Sequence, residues 1–539
     1  MNARRAESRL AARILDTLLR EDYGGLSKHV DHVHRVLTPP GCVRIRLRGP
    51  DEAPTGGMHP GFLSELTVDP DQGLRLEEVL LIARRVGHPR DDLRSFEREC
   101  RESLVTLRMH QEALPDLLAR LADVPDGLRR GPGTFYETLA AFQDHPVYPT
   151  GRTRFGLSPS DLRKYAPEFD PAVTLRWAAV PKSRVTRAGE RPNWWPEPAD
   201  VGMSESLNTT HDLLPVHPLT VPYLRDDRDA RLGSRPYLQV MPTLSMRTVT
   251  TDPLTHLKVP LPTSTLGVRN RRTIVPESLP DGARAERILR RVLLREPNLP
   301  VLLADEQTWG HAGSPYLGYL VRRFPPETAR AHIIPVAALT AESPEGGPVI
   351  AQWNVPWLFG AYLDALLTWN VKLFRYGIAL EAHQQNLSLV LGDGRLRLLL
   401  KDNDGMMVDN LRLMGVFGRD SEPGRFHDPR MTTDDPEALA RVFVTITLHL
   451  CAAAPAFALA EQGLLPLRTG LGMIAERLDA LLGPGDRLLR ARTLDAPALP
   501  AKAMVTAGTL VDRSRLGCAD INKHYGPMGP NYLRTLSGR

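Results

Sequence analysis

The segment from Gly377 to Gly405 most constrains what this chain can fold into. It reads GIALEAHQQN, LSLVL, GDG, RLRLLL and KDNDG in succession. Two apolar runs joined by a Gly-Asp-Gly turn predict a β-hairpin. The hairpin brings the polar stretch before its first strand close to the polar stretch after its second. Because such polar side chains are costly to bury without partners, the segment predicts a bound polar ligand.

The polar groups at this hairpin suit a nucleotide with its metal. Glu381, His383 and Asn386 precede the first strand, whereas Asp402 and Asp404 follow the second. Carboxylate oxygens suit Mg²⁺, which binds through one or two carboxylates together with phosphates. A hydrogen-bonded turn with solvated aspartates is the alternative, and spacing alone leaves both open.

A second cluster of cations and hydroxyls lies between residues 241 and 272. Its members are Ser245, Arg247, Thr248, His256, Lys258, Ser264, Thr265 and Arg269. One ion pair in water contributes only about 1 kcal/mol, so a triphosphate needs several such groups in a sheltered groove. The cluster therefore indicates a phosphate site, with a basic solvent-facing strand as the alternative.

A third cluster lies in the loop that begins DHPVYPTGRTRFG. Two prolines constrain the backbone around His145 and Tyr148, and Arg152 and Arg154 follow. Arginine binds carboxylate and phosphate oxygens in a two-pronged geometry, so this loop suits a small polycarboxylate or a phosphate. A rigid structural loop is the alternative.

The pattern of elements predicts an α+β protein in three parts. Residues 1–140 are expected to form a mostly helical lobe with a small sheet, because GCVRIRLRG alternates like a strand between helical segments. Residues 141–330 are rich in proline and in short strand-like runs, and 181–200 is predicted to be an exposed loop. Residues 331–539 are helical again around the hairpin, with Gly377 as a helix stop and a polar loop over 418–438 that could rim an active site.

Composition favours a cytoplasmic protein without a nucleic-acid or membrane partner. The net charge of +5 is too small to indicate nucleic-acid binding. The charged N-terminal segment is an amphipathic helix rather than a signal peptide. Residues 442–460 carry no charged side chain, but polar residues interrupt them, so they predict a buried pair of core helices. The four cysteines, at 42, 100, 451 and 518, are expected to be reduced core thiols.

Several motifs are weak or absent. The histidines of HVDHVH (29, 32 and 34) are irregularly spaced in a predicted loop and are expected to be solvated rather than metal-bound. The sequence contains no GxxxxGK[ST], HExxH or GxSxG motif. The usual signatures of P-loop NTPases, zinc peptidases and serine hydrolases are thus missing.

Taken in order, these segments resemble the NRPS-independent siderophore synthetases, the aerobactin synthetase (IucA/IucC) family. The matching segments are HPVYPTGRTRFG, SMRT with a downstream lysine, GIALEAHQQN and KDNDG, supported by YAPEF, VHPL and YLVRRFPP. The resemblance covers residues 140 to 405 well. It implies three lobes: a thumb over 1–140, fingers over 141–330 and a palm over 331–539. It also implies that ATP binds between the fingers and the palm, and that the protein is a homodimer.

The resemblance also implies an activity and residue roles. ATP would activate a carboxylic acid as its acyl-adenylate, and an amine or alcohol would then form the amide or ester. The implied ATP contacts are Ser245, Arg247, Thr248, Lys258, Thr265, Arg269, His383, Gln385 and Asn386. The implied carboxylate contacts are His145, Tyr148, Arg152 and Arg154, and the implied Mg²⁺ ligands are Glu381, Asp402 and Asp404. The residues expected to act in catalysis are Arg247, Lys258, His383 and Arg154.

The chain departs from the family pattern in the acid-binding loop and beside the second strand of the hairpin. Tyr148 replaces a histidine, Arg152 replaces a lysine and Lys401 replaces an arginine. Because tyrosine cannot become cationic, we predict an acid other than free citrate. Two other functions stay open: a small-molecule phosphotransferase, and a non-catalytic binding protein that keeps the fold.

Overall fold

The computed structural model describes residues 3–50, 52, 58–418, 426–517 and 523–534, and within them helices are mixed with sheets whose strands pair mostly antiparallel, with two parallel pairs. The α-helices span Ala3–Arg20, Leu76–Val86, Leu93–Ala122, Asp126–Arg129, Phe135–Ala141, Pro159–Tyr165, Leu207–Thr210, Ser278–Arg295, Val355–Arg375, Asn410–Phe417, Pro436–Val442, Ala454–Glu461, Leu467–Leu481, Arg487–Arg492 and Arg513–Leu516. Phe443–Ala453 and Thr506–Leu510 are π-helical. The last fragment of the predicted rim loop, residues 426–438, is described, whereas residues 419–425 and Cys518 lie outside the described residues.

A seven-stranded antiparallel sheet forms the middle of the chain. In spatial order its strands are Val173–Thr174, Gln239–Pro242, Thr248–Asp252, Thr255–Lys258, Leu317–Arg323, Asp305–Ser314 and Thr186–Ala188. A three-stranded sheet of His211–Val216, Arg176–Pro181 and Arg231–Leu232 accompanies it. Val249, Leu257, Tyr319 and Val321 are buried in the core between these sheets.

The predicted hairpin is confirmed. Leu387–Gly392 pairs with Arg395–Leu400, and the turn places Asp393 and Gly394 at φ 52° and 70°. These strands form a sheet with Val301–Leu303 and His332–Pro335. A neighbouring sheet contains Ile378–Leu380, Met406–Asp409 and Thr432–Thr433. The hairpin thus leads from one polar stretch to the other, as its sequence indicated.

The smaller sheets lie near the ends of the chain. Val30–Asp31, Val36–Leu37, Ile45–Arg48 and Thr67–Val68 form one of them, and Ala498–Leu499 pairs with Gly529–Pro530 in the other. The predicted N-terminal amphipathic helix is confirmed, because Leu10, Ile14 and Leu18 on Ala3–Arg20 are all buried.

The predicted helix stop at Gly377 is also confirmed. The helix Val355–Arg375 ends two residues earlier, and Gly377 has φ 77°. A Cβ atom there would lie 2.7 Å from the Cβ of Arg412. Glycine is therefore required by both the backbone conformation and the available space.

Two predictions about segments are only partly right. Residues 181–200 are not simply an exposed loop, because Thr186–Ala188 is an edge strand and the indole of Trp194 donates a hydrogen bond to Asp252. The apolar segment after Pro436 is one helix as far as Glu461, not a pair of helices. Its most apolar window is 94% buried, so it belongs to the core, although by length and composition alone it could cross a membrane.

The cysteine and histidine predictions are partly confirmed. Cys100 and Cys451 are buried free thiols, but Cys42 is only half-buried. His32 and His34 are exposed, and His34 pairs with Asp31. Among the described residues, no three histidine, cysteine or acidic side chains are grouped so that they could hold a metal.

Candidate functional site

The polar ends of the hairpin and the seven-stranded sheet open onto one cavity of about 970 Å³, here called the main cavity. Its lining includes residues from all three predicted clusters: His145, Ser245, Arg247, Thr248, Lys258, Arg269, Glu381, His383, Gln385, Asn386, Asp402 and Asp404. Asp428, Arg430 and Met431 of the predicted rim loop also line it. Tertiary folding therefore brings together segments more than 100 residues apart in the chain.

Cationic side chains outnumber carboxylates around the main cavity. The lining contains eleven lysines and arginines but six aspartates and glutamates. A cavity with this excess of positive charge attracts and retains an anion more strongly than a neutral cavity would. Its volume lies within the range of about 300–1,000 Å³ that is usual for small-molecule sites. The site is therefore suited to a polyanionic ligand of nucleotide size.

A buried network of charges surrounds Lys258. The Lys258 ammonium lies 3.1 Å from a carboxylate oxygen of Asp402 and 3.1 Å from one of Asp404. Arg322 lies 3.4 Å from Asp402 and 2.7 Å from Glu306. Burial by itself would raise the pKa of Asp402, but Lys258 and Arg322 hold that pKa well below its usual range. Asp402 is therefore an ionised carboxylate within the cavity.

Glu306 and Arg322 were not predicted from the sequence. Burial raises the pKa of Glu306 to about 7, against the opposing effect of Arg322. Glu306 also accepts hydrogen bonds from the backbone and side-chain amides of Asn403, at 3.2 and 3.1 Å. Asn403 lies in the KDNDG segment, and Arg322 lies in YLVRRFPP. Strand alternation could have directed attention to Arg322, because it pairs in register with His256 of the neighbouring strand.

A second unpredicted ion pair joins Glu137 and Lys401 at the wall of the main cavity. Their side chains are 8% and 5% exposed. Glu137 also accepts a hydrogen bond at 3.1 Å from the backbone N–H of Leu244. Burial lowers the pKa of Lys401, and Glu137 opposes that effect. This pair connects the helix Phe135–Ala141 with the end of the hairpin, and no sequence pattern indicated Glu137.

Three histidines line the cavity, His145, His256 and His383, and low pKa values leave the rings of His145 and His383 neutral. The Nδ1 atom of His145 accepts the backbone N–H groups of Val147 and Tyr148, at 3.3 and 3.0 Å. The neutral ring therefore carries its proton on Nε2. Burial and the neighbouring His383 lower the pKa of His145 to about 3. Burial and Arg272 lower the pKa of His383 to about 4.

Five predicted site residues do not line the main cavity: Tyr148, Arg152, Arg154, Ser264 and Thr265. Arg152 contacts Asp144 at 2.7 Å and the ring of His110 at 2.8 Å. Arg154 contacts Glu168 at 3.3 Å. The Thr265 hydroxyl accepts a hydrogen bond from Arg272, which does line the cavity. The structure thus brings only His145 of the predicted carboxylate loop to the cavity.

Tyr148 is buried beside the carboxylate of Glu99, which three hydroxyl groups surround. The side-chain hydroxyls of Tyr148, Thr150 and Thr509 donate to Glu99 at 2.7, 2.7 and 2.6 Å. Burial raises the pKa of Glu99, and burial together with Glu99 raises the pKa of Tyr148 well above its usual value. Because Tyr148 faces Glu99, the replacement of a histidine by tyrosine gives no reason to predict an acid other than citrate.

The carboxylates predicted to bind a metal divide into two groups. Asp402 and Asp404 converge on one ammonium group, so they are able to face a common cation. Glu381 instead lies 3.1 Å from Lys502. Mg²⁺ binds through as few as one or two protein carboxylates when phosphates complete its coordination. The donor chemistry of Asp402 and Asp404 therefore fits Mg²⁺ held jointly with a nucleotide.

Two family models match successive parts of the chain. The IucA / IucC family matches residues 133–341, and the model described as Ferric iron reductase FhuF-like transporter matches residues 355–517. The first range contains the phosphate and carboxylate clusters, and the second contains the hairpin. Together the two models cover the three segments that meet at the main cavity.

Curated relatives match at low identity. Staphyloferrin B synthase of Staphylococcus aureus (strain NCTC 8325 / PS 47) is 25% identical over 51% of this chain and 54% of its own length. Aerobactin synthase of Escherichia coli is 26% identical over 49% of this chain and 54% of its own length. L-2,3-diaminopropanoate--citrate ligase of the same S. aureus strain is 30% identical over 46% of this chain and 50% of its own length. The chain spans about half the length of these relatives.

Solved structures share the fold along almost the whole chain. The ATP-bound aerobactin synthetase IucA from a hypervirulent pathotype of Klebsiella pneumoniae has a TM-score of 0.72 and 16% identity, covering 97% of this chain and 99% of that one. The petrobactin biosynthesis protein AsbB of Bacillus anthracis str. Sterne has a TM-score of 0.72 and 18% identity, covering 98% and 95%. Residues 133–341 are thus similar to the IucA / IucC family, parts of the chain are similar to siderophore synthases, and the fold is that of aerobactin synthetase IucA.

Proposed function

We propose that this chain is an ATP-dependent, AMP-forming ligase that joins a carboxylic acid to an amine or an alcohol. The observation that carries the proposal is the main cavity, whose lining has eleven cationic side chains against six carboxylates and includes residues from all three predicted clusters. ATP is the polyanion that this excess accommodates. The match to a structure described as ATP-bound and to relatives named synthases and ligases supports the same assignment.

Arg247 and Lys258 are the proposed phosphate-binding cations. Both line the main cavity, and Lys258 is buried. One guanidinium nitrogen of Arg247 donates to the carbonyl oxygen of Thr273 at 2.8 Å, which fixes the side chain. A preorganised cation stabilises charge that develops on phosphate without reorganising during the reaction. Ser245, Thr248 and Arg269 supply further donors in the proposed phosphate site.

His383, Gln385 and Asn386 are proposed to surround the nucleotide at the turn before the hairpin. His383 is neutral, so it offers a hydrogen bond without adding charge. The proposed Mg²⁺ ligands are Asp402 and Asp404, with Glu381 as an outer carboxylate beside Lys502. When bound, Mg²⁺ would neutralise phosphate charge. Asp402 and Asp404 would release part of their contact with Lys258 to hold it.

The acid is proposed to bind beside His145. The Nε2–H of His145 would donate a hydrogen bond to a carboxylate oxygen of the acid. Arg272 lines the same cavity, and burial lowers its pKa only to about 9, so Arg272 remains cationic at neutral pH. One carboxylate oxygen of the acid attacks the α-phosphorus of ATP, and pyrophosphate leaves. Arg152 and Arg154 act on this site indirectly, because they position the loop that carries His145.

The experiment that tests the proposal is ATP–pyrophosphate exchange with citrate, succinate, 2-oxoglutarate and amino-dicarboxylic acids. We expect acid-dependent exchange, and release of AMP rather than ADP once an amine is added. Release of ADP would indicate a phosphotransferase instead. Binding of ATP without exchange for any acid would favour a binding protein that has kept the fold.

Asp402→Asn tests the hairpin carboxylate within the same assay. The variant should remain folded and lose most exchange, because an amide is a much poorer Mg²⁺ ligand than a carboxylate. Asp393→Asn, at the exposed turn of the same hairpin, is the matched control and should exchange normally. Full activity of Asp402→Asn would remove Asp402 from the proposed metal site.

Arg247→Ala tests the phosphate cation. We expect a loss of about 2–4 kcal/mol of transition-state stabilisation, as for other preorganised donors, with an unchanged affinity for the acid. Arg330→Ala, at an exposed position, is the control. Unaltered nucleotide kinetics in a folded Arg247→Ala protein would place the phosphate site elsewhere.

The proposal includes the architecture and assembly implied by the family. A thumb over 1–140, fingers over 141–330 and a palm over 331–539 would place ATP between the last two. A cytoplasmic homodimer is part of the same proposal. Sedimentation of the purified protein, with and without ATP, measures the oligomeric state directly.

A further inference from the structure

A π-helix near the C-terminal end of the described residues packs against the loop that carries Arg269. The π-helix spans Thr506–Leu510, and all five of its residues are buried. The loop, residues 266–270 and here called the Arg269 loop, contributes to the lining of the main cavity Leu266, Val268, Arg269 and Asn270. Helices of this kind are rare and occur frequently at functional sites. The π-helix itself lies outside the cavity lining, so it can act on a ligand only through the residues that it holds.

Three hydrogen bonds run from the Arg269 loop to the π-helix. The backbone N–H of Arg269 donates to the carbonyl oxygen of Gly508 at 3.1 Å, and a guanidinium nitrogen of Arg269 donates to that of Ala507 at 2.7 Å. The backbone N–H of Val268 donates to the hydroxyl oxygen of Thr509 at 3.0 Å. Because the last carbonyl groups of a helix have no partner within it, the end of the π-helix offers acceptors that the Arg269 loop satisfies.

The two segments also meet backbone to backbone at a pair of glycines. Gly267 has φ 108°, and a Cβ atom built on it would lie 2.8 Å from backbone atoms of Gly508. A Cβ atom on Gly508 would lie 3.1 Å from the carbonyl oxygen of Leu266. Only glycine combines this conformation with so close an approach. A displacement of the π-helix would therefore displace the Arg269 loop as well.

The π-helix is anchored at both ends by residues from the other end of the chain. The Glu21 carboxylate accepts the backbone N–H of Thr506 at 2.8 Å. The backbone N–H of Asp92 donates to the carbonyl oxygen of Leu510 at 2.8 Å. The position of the π-helix, and with it that of the Arg269 loop, is thus set by the N-terminal region.

Thr509 connects these two sets of contacts through a single oxygen atom. Its hydroxyl donates to the Glu99 carboxylate at 2.6 Å and accepts the N–H of Val268 at 3.0 Å. A hydroxyl has one hydrogen to donate, so the bond to Glu99 leaves its lone pairs for Val268. The Thr509 side chain is fully buried, which protects both bonds from water.

We propose that Thr509 is a positioning residue that holds Arg269 in place to bind a phosphate group of ATP. The inference rests on the proposed function, in which Arg269 supplies a donor in the phosphate site. Arginine has five N–H donors, so the bond to Ala507 fixes the side chain and leaves others for the phosphate. Without the Thr509 hydroxyl, the N–H of Val268 would lose its acceptor, and the loop would move to regain one. Arg269 would then have to be reordered when ATP binds, and the affinity for ATP would fall.

Thr509→Val and Thr509→Ser form a matched pair for testing this role. Valine keeps the shape of threonine without its hydroxyl, whereas serine keeps the hydroxyl. Calorimetric titration with ATP and Mg²⁺ in the absence of any acid measures binding without turnover. We expect the Kd for ATP to rise at least about tenfold in Thr509→Val, a change that corresponds to about 1.4 kcal/mol, and to stay within about twofold in Thr509→Ser.

Thr506→Val is the control on the same helix. Its hydroxyl donates to the carbonyl oxygen of Ala503 rather than contacting the Arg269 loop. We expect its Kd for ATP to stay within about twofold of wild type. Circular dichroism and urea denaturation establish that each variant is folded. Thr509→Ala replaces Thr509→Val in all measurements if the valine variant does not fold.

A double-mutant cycle with Arg269→Gln separates positioning from general destabilisation. If Thr509 acts through Arg269, Thr509→Val should change the Kd for ATP by less than about twofold in the Arg269→Gln background. Equal fold-changes in both backgrounds would overturn the inference. An unchanged Kd in folded Thr509→Val, or in Arg269→Gln alone, would overturn it as well.

The outcomes also separate this inference from the proposed function. A wild-type protein that binds ATP but exchanges pyrophosphate with no acid would overturn the proposed ligase activity, and the titrations would still decide the role of Thr509. Exchange by wild type together with an unchanged Kd for ATP in Thr509→Val would leave the ligase activity in place and overturn the inference. Absence of ATP binding to wild type would overturn both.

Discussion

Tyr148→Phe distinguishes a structural hydroxyl from a substrate contact. The substitution keeps the aromatic ring and removes one of three hydroxyl donors to the buried Glu99 carboxylate. Among the described residues, no lysine or arginine forms an ion pair with Glu99, so these hydroxyls carry most of its stabilisation. A hydrogen bond to a charged group contributes about 1.5–3 kcal/mol, and we expect the free energy of unfolding to fall by about that amount.

The loss should depend on pH in a defined direction. Burial raises the pKa of Glu99 in the folded state above its unfolded value. Its contribution to stability is therefore complete below the unfolded pKa and declines as pH rises through the folded pKa. A neutral carboxyl group depends less on its donors than a carboxylate does. The difference between Tyr148→Phe and wild type should consequently be largest at pH values above the folded pKa and shrink as the pH falls through it.

Urea denaturation at several pH values, together with the KM values for the acid and ATP, measures the effect. Tyr223→Phe is the control, because the Tyr223 side chain is exposed and its hydroxyl should contribute little. We expect both KM values of Tyr148→Phe to remain close to those of wild type. An increased KM for the acid with unchanged stability would show that the hydroxyl reaches the substrate, and the reasoning from Glu99 would fail.

Three further substitutions test contacts that position the main cavity. Lys401→Met should lower the free energy of unfolding by about 3–5 kcal/mol, because it leaves buried Glu137 without its cation. Adding Glu137→Gln should recover most of this loss, and a double-mutant cycle measures the recovery. Asp281→Ala removes the acceptor of three hydrogen bonds from residues 427–428, including one from the ring of His427. The segment should then loosen, and trypsin should cleave faster after residue 430 in limited proteolysis. An unchanged cleavage rate would exclude Asp281 as the residue that anchors this segment. Gly377→Ala should cost at least about 1–2 kcal/mol in urea denaturation, because alanine disfavours φ 77°; equal stability would contradict the steric argument.

The sequence alone determined the local elements near the site. The hairpin over 387–400, the helix that precedes it and the stop at Gly377 follow from patterns within about 30 residues. Apolar spacing and turn chemistry act between near neighbours, so they can be detected without a fold. The same logic was incomplete for residues 181–200, since an edge strand and a packed tryptophan depend on a sheet that other segments complete.

The tertiary structure decided which side chains reach the cavity and what neutralises them. His145 and Tyr148 lie three residues apart in one irregular loop, yet one faces the main cavity and the other faces Glu99. Glu137 and Lys401 pair across 264 positions. A loop has no fixed period to orient its side chains, and the cost of burying a charge depends on partners that only the packed chain supplies. For that reason residue types and their order indicated the chemistry, whereas contacts and pKa shifts required the fold.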